Sequence, residues 1–248
     1  MQSNKPVKED RRVQILNLVA LGVFSIAAVV GTIKLFDEAT RSSGVLIVLC
    51  SALGIFFSFL SKIVRHFWQA EVPLYLLLII YFFIFLGTIP GEIFNFYYTV
   101  WWWDIFLHIF SGFWITYILF RVFSAVFTKS KIKLSFGFIA FIAIFSSLGF
   151  AVIWEVTEFT IDSLFNTNMQ KFIPPEFLPH NTGSVEALDA TDSAIVDYYR
   201  QPSGYRYALM DTMEDHIAFL SGSLLWLLVF GSKNLAHRPN KRRPNEQY

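Results

Sequence analysis

"LSFGFIAFIAIFSSLGFAVIWEVTEFTID", Leu134 to Asp162, decides the architecture. It carries no charged side chain before Glu155. About 20 apolar residues suffice to cross a bilayer as a helix, so this run predicts a transmembrane segment rather than the half-buried helix of a soluble domain. The same signature recurs over Val13 to Phe36, Gly44 to Val64, Val72 to Ile89, Asp104 to Phe127 and Asp211 to Gly231. The expectation is an all-α, polytopic membrane protein: six transmembrane helices in a single integral membrane domain over residues 1–248. Composition agrees, since 54% of the residues are hydrophobic, 28 are Phe and only 16% are charged. The first span is too long for a signal peptide, has no small-residue cleavage site after it, and is expected to remain in the mature protein.

The basic residues set the orientation. Lys5 to Arg12, Lys62 with Arg65, Arg121 to Lys133, and Lys233 to Arg243 hold most of the 20 Lys and Arg. All four groups fall on one side of a six-helix chain, so the positive-inside rule places both termini in the cytoplasm. Most acidic residues fall on, or open toward, the other side. The net charge of +1 and the boundary position of the basic clusters exclude nucleic acid as a partner. Cys50 is the only cysteine, which excludes a disulfide framework and a thiolate metal site; it is expected to pack as a small apolar residue.

Two stretches are irregular. Residues 90–103, "PGEIFNFYYTVWWW", are too short to span and rich in Tyr and Trp, as an interfacial segment with Trp101, Trp102 and Trp103 as anchors would be; Glu92 is read as interfacial. Residues 163–206 form one long polar outer loop, punctuated by Pro174, Pro175, Pro179 and Pro202, and its length suits a lid or binding loop.

The charges that interrupt the apolar spans are concentrated at the outer ends of helices four to six. Asp104 and His108 are spaced i, i+4, as are Asp211 and Asp215, and Glu155, Glu158 and Asp162 follow i, i+3, i+7, so each set forms one stripe on its helix. With about 1.5 Å of rise per residue, His108 and Asp215 lie about 6 Å, and Glu155 about 10 Å, deeper than Asp104, Asp162 and Asp211. A charge at that depth is costly unless it faces water or a partner. Taken singly, Asp162 and Asp211 read as solvated helix ends. Glu214 and His216 point away from the Asp211/Asp215 stripe, and Ser111-Gly112 and Ser221-Gly222 read as points where helices four and six pack closely.

Six carboxylates with one or two histidines repel one another unless some protonate or a cation joins them. Lys171, Arg200 and Arg206 are the nearby basic residues. A divalent ion held by Asp104, His108, Glu155, Glu158, Asp162, Asp211 and Asp215 would balance the charge, and oxygen ligands with imidazole suit Mg²⁺, Mn²⁺, Zn²⁺ or iron. No strict metal motif such as H-E-x-x-H is present.

These three motifs, D-x3-H-x2-S-G at Asp104 to Gly112, W-E-x2-E-x3-D at Trp154 to Asp162 and D-T-x2-D-x6-G at Asp211 to Gly222, resemble the signatures of the YjdF-like bacterial inner-membrane proteins. A more distant pattern is similar to the VanZ-like proteins, which are associated with glycopeptide resistance. The resemblance covers roughly residues 70–231 and implies that the seven motif residues belong to one site. It does not imply an activity.

Three readings follow. In the first, the protein is a metal-dependent membrane enzyme, a hydrolase or transferase acting on a lipid or lipid-linked substrate at the outer leaflet, with Glu155, Glu158 and His108 as catalytic residues and Glu155 or Glu158 as general base. The second is a proton or cation transporter using the same carboxylates. The third is a non-catalytic membrane assembly or resistance factor in which the cluster only locks helices together.

Overall fold

Asp10 begins the first helix by accepting the Arg12 backbone N–H at 2.9 Å, and α1 then runs over Arg11–Lys34. A computed structural model describes residues 10–68, 71–171 and 202–236. After a short 3₁₀ turn at Glu38–Thr40, capped by Asp37, come α2 (Arg41–Ser58), α3 (Leu60–Trp68), α4 (Leu74–Leu86), α5 (Phe96–Thr99), α6 (Trp103–Lys129), α7 (Phe136–Phe165) and α8 (Pro202–Ala236). Ser135 starts α7 by accepting the Phe138 N–H. Among the described residues there is no strand, and six helical segments are long and apolar enough to cross a membrane: Arg11–Lys34, Glu38–Ser58, Leu74–Ile93, Trp103–Lys129, Phe136–Phe165 and Arg206–Ser232.

The chain divides into two compact bodies, Met1–Leu107 with Trp154–Asp215, and His108–Ile153 with His216–Tyr248. In the first, α1 and α2 approach so closely at Gly44 that a Cβ there would meet the Gly31 carbonyl oxygen at 2.9 Å. A buried polar network ties this body together. The Asn17 amide donates to Ser61 Oγ at 2.7 Å, and the Tyr81 hydroxyl lies 2.7 Å from Asn17 Oδ1 and 3.0 Å from the Phe57 carbonyl, next to the break between α2 and α3.

Helix α4 continues past Leu86 as a π-helical turn, Gly87–Ile93. Pro90 is the cause: it has no N–H to donate and its ring crowds the carbonyl four residues back, and widening the turn relieves both. Phe94 N–H reaches the Ile89 carbonyl at 3.0 Å to close it. The turn draws Glu92 into the protein, where it is 7% exposed, so the interfacial reading of Glu92 is corrected. Asn95, at φ 58°, then reverses the chain into α5. Trp101 is 85% exposed, as an interfacial anchor should be, whereas Trp103 is buried against Leu86 and Leu107 and is a core residue.

In the second body α6 and α8 meet at Gly112 and Gly222. A Cβ on Gly112 would overlap the Phe219 carbonyl, and one on Gly222 the Ile109 carbonyl, each far inside 3.0 Å. The two glycines are therefore the close-packing points their motifs suggest. Thr116, Ser147 and Ser223, one from each long helix and all fully buried, share hydrogen bonds of 2.9 Å from Thr116 Oγ1 to both serines. Trp226 is packed among Phe120, Phe136 and Phe230.

The sequence-based spans need adjustment at their ends. The second is interrupted at Phe59, the third lengthens through the π turn, and the last helix starts at Pro202, inside the stretch read as loop. Proline suits a first helical turn because its missing N–H has no partner there anyway. Residues 172–201 of the expected outer loop lie outside the described residues.

Candidate functional site

Asp162 organises the acidic end of α7. Its carboxylate accepts Thr167 Oγ1 at 2.5 Å, Met169 N–H at 2.9 Å and Gln170 N–H at 3.0 Å. Asn166 and Lys171 are left-handed, at φ 53° and 46°, and between them the chain folds back over the helix end that Asp162 supplies. Two more bonds dock this turn: Ser42 Oγ to the Asn166 carbonyl at 3.4 Å, and Gln170 Nε2 to Thr212 Oγ1 at 3.3 Å. Asp162 is thus a buried anchor rather than a solvated helix end.

The turn delivers Lys171. Its ammonium sits 2.5 Å from Asp104 Oδ2 and 2.8 Å from Asp211 Oδ1, joining the first turn of α6 to α8 through one tethered cation. Burial of the ammonium disfavours its charge, but Asp104, Asp211 and Asp215 outweigh that and raise its pKa above the ordinary lysine value. Asp211 is only 9% exposed, so it too is no solvated helix end. Among the described residues its second oxygen, Oδ2, has no hydrogen-bond partner.

Deeper along the same helices, Glu155, Glu158 and Asp215 come together. One carboxylate oxygen from each lies within 4.8 Å of the others, and all three residues are buried. Ligands opposite each other on an octahedral ion at about 2.1 Å are about 4.2 Å apart, so this spacing matches shared coordination. Two full charges about 4 Å apart repel by about 4 kcal/mol at an effective dielectric of 20. Three such groups need a proton or a cation among them. Glu158 is 6% exposed and its Oε2 has no hydrogen-bond partner among the described residues, so one oxygen is committed to no protein donor.

The seven residues singled out in sequence take different parts at this end, and Asp215 adjoins both acid groups, since an oxygen of Asp104 also lies within 4.8 Å of one of Asp215. Glu155, Glu158 and Asp215 form a compact carboxylate set, Asp104 and Asp211 share Lys171, and Asp162 holds the turn that carries it. His108 is buried one turn along α6 from Asp104 and belongs to the second body. Glu214 is exposed and His216 half-buried. The part played by Thr167 and by the Met169 and Gln170 amides was not visible in the sequence, because backbone donors leave no residue-type signal.

The profile of a family described as predicted membrane protein (DUF2238) matches residues 16–235, and the chain belongs to that family. The YjdF-like resemblance of the three motifs fits this assignment. A protein of Thermotoga maritima described as an uncharacterized protein is 28% identical over 120 residues, 48% of this chain and 59% of its own length. The chain thus matches little more than half of that relative. No solved structure matches.

Proposed function

We propose that this member of the family is a metal-dependent enzyme embedded in the bacterial inner membrane, with both termini cytoplasmic, acting as a hydrolase or transferase on a lipid or lipid-linked substrate at the outer leaflet. The observation that carries the reading is the buried Glu155/Glu158/Asp215 set with the uncommitted Glu158 Oε2. Hard divalent ions such as Mg²⁺ or Mn²⁺ fit an all-oxygen set best, with Zn²⁺ or iron as the alternatives. Such an ion supplies Lewis acidity toward an ester or phosphoryl oxygen and acidifies a bound water.

The chain's own residues do the rest. Glu158 and Asp215 would hold the ion and Glu155 would take the proton of the attacking water, or Glu155 and Asp215 would hold it with Glu158 as the base. Burial of all three excludes bulk water. Phe94, Trp101 and Trp102 are exposed on the segment preceding α6, the residue types that settle at headgroup depth beside a lipid substrate.

Elemental analysis of the detergent-purified protein tests the metal. Near-stoichiometric Mg, Mn, Zn or Fe in the wild type that is lost in Glu158→Gln is the expected result. Uptake of none of these ions, even after incubation with each, by the wild type and by Lys171→Met, which removes the neighbouring positive charge, defeats the reading. A panel of phospholipids and lipid-linked phosphates, followed for released headgroup, tests the reaction. Proton flux in liposomes without bound metal would instead favour the relay.

A further inference from the structure

Lys171 has no place in that chemistry, yet its ammonium is held by two carboxylates at the acidic end. It lies on a turn fixed by three donors to Asp162, and its ammonium takes one oxygen from each of two acids on different helices. Asp211 uses Oδ1 for Lys171 and leaves Oδ2 buried without a partner among the described residues. Asp104 and Asp211 lie nearer the start of their helices than Asp215, so the ammonium is held on the headgroup side of the Glu155/Glu158/Asp215 set, and its side chain is still 27% exposed.

We propose that Lys171 is a built-in competitor for the cation site: it occupies Asp104 and Asp211 until a divalent ion draws them, and its departure opens the site. This rests on the metal reading above. An oxygen of Asp104 lies within 4.8 Å of one of Asp215, so the ammonium and the dication draw on adjoining carboxylates, each weakens the hold of the other, and the apparent affinity for the ion falls by the fraction of time that Lys171 is in place. Lys171 thereby sets a threshold ion concentration and favours divalent over monovalent ions. The turn 166–171 moves with it, because Lys171 is its last residue.

The test uses the full-length protein in detergent with Mn²⁺ as the probe. Mn²⁺ affinity is measured for wild type and for Lys171→Met, which keeps the stem and removes the charge. In parallel, reductive methylation of Lys171 in the wild type is followed by peptide mass spectrometry with and without Mn²⁺. Mn²⁺ should speed methylation of Lys171 about tenfold, and Lys171→Met should bind Mn²⁺ about tenfold more tightly, if the closed form exceeds the open one by that ratio. Mn²⁺ that binds the wild type and leaves methylation unchanged overturns the competitor and leaves the metal site standing. Binding by Lys171→Met alone supports the competitor in its strongest form. Binding of Mn²⁺ by neither protein overturns the competitor, and the metal reading is then decided by the elemental analysis with all four ions. The methylation arm needs no variant, so it remains decisive even where Lys171→Met folds poorly.

Discussion

Gly112→Ala, like its counterpart Gly222→Ala, drives an added atom into backbone and should carry a large cost for one methyl group. The new Cβ would land on the Phe219 carbonyl and against Phe219 Cα, which are backbone atoms of α8 and cannot rotate aside as a side chain would. The helices must therefore part. Overpacking of a tight contact costs about 1–3 kcal/mol. Separation also stretches the bond from Ser223 Oγ to the Gly112 carbonyl, now 3.3 Å, and the contact of Ser223 with Thr116, and a hydrogen bond between membrane helices is worth about 0.6–1.7 kcal/mol. The sum is a loss of about 2–4 kcal/mol, partly offset by the up to ~1 kcal/mol by which Ala exceeds Gly in helix propensity. Gly149→Ala is the matched control, because a Cβ there meets nothing within 4 Å and only the propensity gain remains. Equilibrium unfolding of both variants in mixed detergent micelles measures the difference. A Gly112→Ala protein as stable as Gly149→Ala would refute the backbone-contact argument.

Other perturbations probe the remaining features. Asp162→Asn should loosen the turn at residues 166–171 and accelerate amide exchange at Met169 and Gln170 about tenfold or more, since hydrogen bonds to a charged acceptor contribute about 1.5–3 kcal/mol; unchanged exchange counts against the anchor. Thr116→Val should cost about 1–2 kcal/mol by leaving Ser147 and Ser223 without their shared partner, read as a lower unfolding midpoint. For Lys171 the folded-state pKa is raised, so its ion-pair contribution is fully present below the unfolded lysine value of about 10.4 and is lost only as pH rises through the higher folded value. The stability gap between wild type and Lys171→Met should accordingly stay flat from about pH 7 to about pH 10, and a gap that closes by pH 9 contradicts the raised value.

The six spans were legible because a bilayer imposes one requirement, an apolar run of sufficient length, that a single sequence states outright. The close approach of α6 and α8 was equally legible in Ser111-Gly112 and Ser221-Gly222, since few residue types allow it. Span ends were less so. Hydropathy is blind to the break at Phe59 and to the π turn that Pro90 opens, and the polar stretch from Pro202 to Met210 is helical without being apolar. Glu92 and Trp103 were misplaced for a related reason: residue type suggests an interface, and only the turn geometry carries these side chains into the protein. At the acidic end the carboxylates were visible as stripes, and Lys171 as a basic residue in reach. Its choice of Asp104 and Asp211 depends on a turn held by backbone amides, which no spacing rule reveals.

The Asn17–Ser61–Tyr81 network bears on the order in which the chain can be assembled. Asn17 leaves the ribosome first, and its amide enters the lipid with no partner within its own segment. Ser61 follows 44 residues later, and Tyr81 20 after that. Until then the carboxamide needs water or the insertion machinery to solvate it, because an unsatisfied polar group in hydrocarbon costs several kcal/mol. Satisfying the Asn17 side chain in lipid therefore calls on the segments that carry Ser61 and Tyr81. Replacing Asn17 with Leu should ease partitioning of the first segment on its own, and an insertion assay of that segment in which the change has no effect would count against this.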